Sequence, residues 1–183
     1  MLRRSAAGLT ALLLLAGLPA SAPRAATQGL AGTASTGEIG LIAELPRLIR
    51  ISGVNDLDLG TWTGTGARTR AMPHRVCTNA PDQLFSITAT GSGTGGAFEL
   101  AYGPAVLAYE LEYRDRNTSP WAVLQPNVAL AGQRGQAPTA SASFCPDSGA
   151  QPQRLRVRIR RPAFLAAPAG AYSGILALLV APD

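Results

Sequence analysis

Three features of the sequence predict an all-β domain, with a β-sandwich as its natural architecture. Apolar and polar residues alternate in several short runs, turn-forming residues separate those runs, and no sustained 3.6-residue period follows the N-terminal segment. Arg154 to Arg160 is the clearest run, reading Arg, Leu, Arg, Val, Arg, Ile, Arg. A helix would scatter Leu155, Val157 and Ile159 around its circumference, whereas a strand gathers them on one face. Roughly eight such strands in one domain of this size fit a sandwich.

The first thirty residues stand apart from that fold. Met1-Leu2-Arg3-Arg4 is basic, Leu9 to Leu18 is apolar, and Ala20-Ser21-Ala22 offers small residues for a signal peptidase. The order is that of a secretory signal peptide spanning residues 1–26, with cleavage between 22 and 26. Its apolar run has about half the roughly twenty residues that a membrane-spanning helix needs, so no integral membrane segment is expected after processing. Residues 27–37 are small or polar and read as a flexible mature terminus.

Folded structure is expected from Glu38 onward. Ile39, Leu41, Ala43 and Leu45 alternate with Gly40, Ile42 and Glu44, which suits a strand; Pro46 interrupts it and Leu48 to Ser52 resumes it. Asp56 to Thr63 reads as a further short strand. A Gly- and Thr-rich connection then leads to Arg75-Val76-Cys77. Phe85, Ile87 and Ala89 alternate with Ser86, Thr88 and Thr90 in a half-buried strand. Four glycines between Gly91 and Gly96 mark a turn before a strand holding Phe98 and Leu100. Leu107, Tyr109, Leu111 and Tyr113 face one way, and Glu110, Glu112 and Arg114 the other. Asp115 to Pro120 is a solvated turn, and short edge strands are expected around Pro126. After the arginine run, Ala166 to Gly170 is read as a turn. Tyr172 to Val180 closes the domain with Tyr172, Gly174, Leu176, Leu178 and Val180 inward.

Charge and chemistry exclude more than they indicate. Every basic residue is Arg, and the formal charge of +5 falls by three to +2 once Arg3, Arg4 and Arg24 leave with the leader. That mild basicity, without interleaved aromatics, argues against nucleic-acid binding. His74 is the single histidine and is read as an exposed loop residue. No zinc-ligand spacing, nucleophile elbow or phosphate cradle accompanies it, so neither an enzyme nor a cofactor is expected. Asp56 with Asp58, and Glu110 with Glu112, are paired carboxylates that are more commonly the wet face of a strand than a catalytic dyad or calcium site.

Cys77 and Cys145 are the only cysteines. In an exported chain they either bridge, closing a loop of about seventy residues for roughly 4 kcal/mol of stabilisation, or remain two buried thiols; pairing is expected. Arg154, Arg156, Arg158 and Arg160 stand about 6.6 Å apart along one strand face. They suit an anionic glycan or acidic protein, or equally the outward Glu110 and Glu112 if those strands are neighbours.

Four segments in order resemble the secreted spore coat protein U-like domain, the family that includes subunits of archaic chaperone–usher pili. They are Val54-Asn55-Asp56-Leu57-Asp58-Leu59-Gly60; Val76-Cys77 before Phe85-Ser86-Ile87; Gly95-Gly96-Ala97-Phe98-Glu99-Leu100 leading to Leu107-Ala108-Tyr109-Glu110-Leu111; and Pro168-Ala169-Gly170-Ala171-Tyr172-Ser173-Gly174 running into Val180-Ala181-Pro182. The resemblance covers residues 38–183. It implies an immunoglobulin-like sandwich of the pilin type, incomplete and finished by donor-strand addition. A periplasmic chaperone would fill the open groove first, and an outer-membrane usher and neighbouring subunits would follow. The implied location is a cell-surface fimbrium reached through the periplasm, with a role in adhesion. Ile39, Leu41, Ala43 and Leu45 are then either the donor strand or this subunit's own first strand. The alternative function is a self-contained secreted module binding an acidic glycan or protein through the arginine-lined strand.

Overall fold

The structure, a computed structural model, describes residues 26–116, 119–139, 144–147 and 150–183. All of the expected signal peptide except Ala26 lies outside the described residues. The chain divides into two units, one ending at Leu45 and the other running from Pro46 to Asp183.

In the first unit, Thr27 and Glu38 exchange backbone hydrogen bonds of 3.1 Å as an isolated antiparallel bridge. The strand expected over Ile39–Leu45 does not form. Alternation supplies two faces, but a strand also needs a neighbour for its backbone groups, and this segment has none among the described residues. Ile39, Leu41 and Leu45 are 80–91% exposed. The folded domain therefore begins at Pro46, eight residues later than the expected boundary at Glu38.

The second unit is built almost wholly from antiparallel strands. A five-stranded sheet has the order β1 (Ile49–Ser52), β2 (Arg68–Thr78), β9 (Gln153–Ile159), β6 (Glu110–Arg114), β7 (Ala122–Leu124). A three-stranded sheet has the order β10 (Leu176–Pro182), β3 (Leu84–Gly91), β8 (Leu130–Arg134), and β4 (Glu99–Tyr102) pairs with β5 (Ala105–Ala108). The two larger sheets share one core in a sandwich-like arrangement. Leu155, Val157 and Ile159 from β9 join Phe85, Ile87 and Ala89 from β3, and the Phe85 ring meets Tyr113 of β6 edge-on at 6.5 Å.

The alternation seen in sequence is the burial pattern seen in space. β9 alternates strictly between buried and half-buried residues, and Leu107, Tyr109, Leu111 and Tyr113 are all buried. Cys77 and Cys145 form a disulfide buried beside the core. Gly91 ends β3 where a Cβ would lie 2.1 Å from the Ala97 carbonyl oxygen, so only glycine lets that turn close.

Four expectations need correction. Asp56 to Thr63 carries no ladder and pairs with no strand among the described residues. The polar connection before Arg75 is instead the first half of β2, which begins at Arg68 and pairs with β9 from Arg68↔Ile159 to His74↔Gln153. Residues expected to lead straight into a turn form a short helix, α1 (Arg161–Ala166), started by a proline in its first turn. The final strand begins at Leu176; Tyr172 to Ile175 precede it, tied by a two-way bond between Ala101 and Ser173.

Candidate functional site

β10 lies at the edge of its sheet, hydrogen-bonded to β3 on one side and to no strand on the other among the described residues. Leu176, Leu178 and Val180 point toward the core yet remain only half-buried. β1 runs close to β10, and beside it Arg47 donates to the Asp183 carbonyl oxygen at 2.6 Å. Beyond Gly53 the two walls separate. Gly53 adopts φ +70°, a left-handed conformation that turns the chain away from the direction of β1.

The separation leaves a long groove between residues 54–62 and residues 170–178, lined by a mixture of apolar side chains and polar groups. Its two adjoining sections have volumes of about 540 and 800 Å³ and share Asp56, Leu57, Leu59, Leu100 and Gly174. Met72, Leu155 and Val157 of the five-stranded sheet and Tyr109, just before β6, line the first section. Leu107, Ile159 and Tyr172 line the second, where Trp62 stacks on Phe164 of α1 at 4.8 Å and 7°. The Trp62 indole N–H donates to the Thr65 and Gly66 carbonyls, which holds the ring at the groove's outer end.

The 54–62 wall is held mainly by side chains. Leu57 and Leu59 are half-buried against the core, whereas Asp56 and Asp58 are exposed at the groove's rim. Asp58 accepts a bond from the Gly60 N–H at 2.7 Å, a local turn contact of a kind common for Asp. Among the described residues neither wall carries a strand ladder on its groove side, although Asn55, Gly60, Thr61, Ser173 and Ile175 have individual backbone partners; an added strand would supply that ladder above the apolar side chains.

The arginine row lies elsewhere, on the outer face of the five-stranded sheet. β6 and β9 are neighbours, with Glu110 opposite Arg158 and Glu112 opposite Arg156. Arg156 pairs with Glu112 at 2.5 Å and Arg160 with Glu110 at 2.6 Å. Arg156 also lies over the Trp121 ring at 4.0 Å, with Arg114 at 4.6 Å. Arg154 and Arg158 share the face, so the row is a mixed-charge surface in which acidic neighbours take up part of the positive charge. Glu110 and Glu112 are thereby ion-pair partners.

His74 is a further correction: it is fully buried on β2, not exposed in a loop. Its ring lies 5.5 Å from Tyr113, and neither ring nitrogen reaches a partner in hydrogen-bonding geometry. Burial lowers its pKa to about 4, partly offset by the Met72 backbone. The Tyr113 hydroxyl is likewise buried without a partner, and burial, reinforced by Asp115, pushes it well above the ordinary phenol range. Alternation over Met72, His74 and Val76 was the sequence signal for an inward His74, masked by the flanking polar and proline residues. Arg75, also buried, donates to the Ala150 carbonyl from Nε at 2.9 Å and again from its guanidinium, clamping the segment next to the disulfide.

Fold and site define an all-β, disulfide-bonded protein of antiparallel sheets with an open groove beside β10. Comparison with protein-family models, curated proteins and solved structures returned no match.

Proposed function

We propose that this chain is a structural subunit of a secreted surface fimbrium, an incomplete immunoglobulin-like sandwich whose groove takes an extended strand from a neighbouring subunit. The observation that carries this reading is the groove itself: the unpaired edge of β10 on one side, the ladder-free 54–62 segment on the other, and half-buried leucines between them. The first unit supplies a segment of matching character. Ile39, Leu41, Ala43 and Leu45 alternate, and the three large members are exposed.

Chain length favours a neighbour's strand over the subunit's own. Arg47 is tied to Asp183 at the closed end, while the groove opens at Val54. A tail folding back from Pro46 needs about seven residues, roughly 23 Å at strand rise, to reach that mouth. Those residues are Ile39 to Leu45 themselves. What then entered would be residues 30–38, where Leu30 is the only large apolar side chain. A periplasmic chaperone and an outer-membrane usher are the partners this assembly requires before subunits join. A head-to-tail contact of this kind propagates into a fibre rather than closing.

The test uses two variants of the chain from residue 27 onward. Leu41→Asp lies outside the sandwich and disables only the donor; Leu178→Asp disables the groove. Sedimentation should show multimers for the parent and monomers for each variant alone. Mixing the two should restore a one-to-one dimer, because one retains a donor and the other a groove. A parent chain that stays monomeric, or multimers indifferent to Leu41→Asp, would overturn the reading.

The alternative, an arginine-lined binding module, has less behind it, since Arg156 and Arg160 already face carboxylates. Arg156→Ala should lower thermal stability by only about 1 kcal/mol, through the lost Glu112 pair and Trp121 contact, and leave multimer formation unchanged. Heat unfolding and sedimentation of the variant check both halves.

A further inference from the structure

β10 and the residue just before it carry exposed apolar side chains, of which Ile175 also borders the first section of the groove while Leu179 does not. Ile175 is 77% and Leu179 67% exposed, and both alternate with the core-facing leucines. On the β3 side Leu179 lies opposite Thr88 and Ala177 opposite Thr90, so no large apolar neighbour covers them there. The other side of β10 is the unpaired edge. Along that edge the outward row reads Ile175, Ala177, Leu179: large, small, large.

The segment proposed as donor breaks its own alternation in the complementary way. With Ile39, Leu41, Ala43 and Leu45 turned inward, Gly40, Ile42 and Glu44 face outward, and Ile42 is itself 58% exposed. A strand added to β10 places its outward side chains beside those of β10, because paired residues in a sheet point to the same face. Resting on the strand-exchange reading, we propose that Ile42 of a second copy seats opposite Ala177, between Ile175 and Leu179, and thereby sets the register of the exchanged strand.

The physical need for such a key is specific. A slip of one residue turns Ile39, Leu41 and Leu45 out of the groove and is excluded by their burial alone. A slip of two keeps the same face inward and costs the groove much less. The outer row resolves that ambiguity: shifted by two, Ile42 meets Ile175 or Leu179 directly, while Ala177 faces only Gly40 or Glu44. In the matched register Ile42 fills the gap over Ala177, and cross-strand and diagonal contacts with both large neighbours remove three exposed apolar side chains from water.

Cysteine pairing reads the register directly. Directly opposed residues have Cβ atoms about 5 Å apart and diagonal ones about 7–8 Å, and a disulfide requires roughly 3.5–4.5 Å, reachable only from the former by small adjustment. Cys77 and Cys145 are already bonded and buried, and do not compete. Ala43→Cys, beside Ile42 and inward, is the reporter, combined with Leu176→Cys or Leu178→Cys; the chains are oxidised mildly and run without reductant. With Ile42 opposite Ala177, Ala43 lies opposite one of these two, so one combination should give a ladder of covalent multimers and the other mainly monomers, and adding Ile42→Ala should spread the ladder over both. A selectivity unchanged by Ile42→Ala, multimers without a ladder in either combination, or an internal bond confined to monomers would overturn the proposal. Absence of multimers from the parent chain instead counts against strand exchange itself, so the two failures are distinguishable.

Discussion

Replacing Cys77 and Cys145 together by alanine is expected to cost about 4 kcal/mol of folding stability and to lower the melting midpoint by roughly 10 °C. The bond joins residues 68 apart, so it shortens a long loop in the unfolded chain. It also fixes the segment around Cys145 to β2 near the buried Arg75, whose guanidinium bonds to Ala150 and Pro146. Denaturant titrations of oxidised parent and double variant measure the difference. An unchanged midpoint would mean that the Arg75 clamp alone holds that segment. Because the disulfide lies away from the residues lining the groove, the proposed strand uptake should persist in the variant at low temperature.

Acid sensitivity is the second large effect. His74 is neutral in the folded state down to a pKa of about 4, against 6.5 for the free side chain. Below pH 6.5 the unfolded chain takes up a proton that the folded chain does not, so stability is complete above that value and falls as pH drops toward 4. The shift corresponds to about 3 kcal/mol across the window, after which the folded state protonates too and this contribution stops changing. Burial of the imidazole beside Tyr113 is the cause, only partly offset by the Met72 backbone. His74→Leu keeps an apolar group of similar size there and removes the titration. Its unfolding free energy should therefore run nearly flat between pH 6.5 and 4, apart from the carboxylates common to both chains. Parallel pH slopes for parent and variant would refute the assignment.

The parts of this fold that were legible in the sequence share one property: their burial pattern has period two. β3, β6, β9 and the inward half of β10 were readable because a sheet with one buried face writes its pleat into the chain. The same logic identified Leu155, Val157 and Ile159 as core, and the cysteine pair followed from there being only two in a chain expected to be exported. Period two misled where neighbours were decisive. Ile39–Leu45 and Asp56–Thr63 both alternate, yet neither carries a ladder, because a strand is a property of a pair of backbones. His74 was misread for the converse reason: a polar residue beside Pro73 signals a loop, and only pairing with Gln153 across β2 and β9 puts it in the core.

Composition and periodicity alone thus determined that the chain is all-β and which apolar side chains of β3, β6 and β9 face its core. The tertiary structure decided what depends on residues far apart in the chain: that Glu110 and Glu112 meet the arginine row, that β10 ends its sheet, and that residues 54–62 stand off from it to leave a groove. Alternation is a local consequence of the pleat and survives in one dimension. Which edges stay open is settled by long-range pairing, and no single segment records its own missing neighbour.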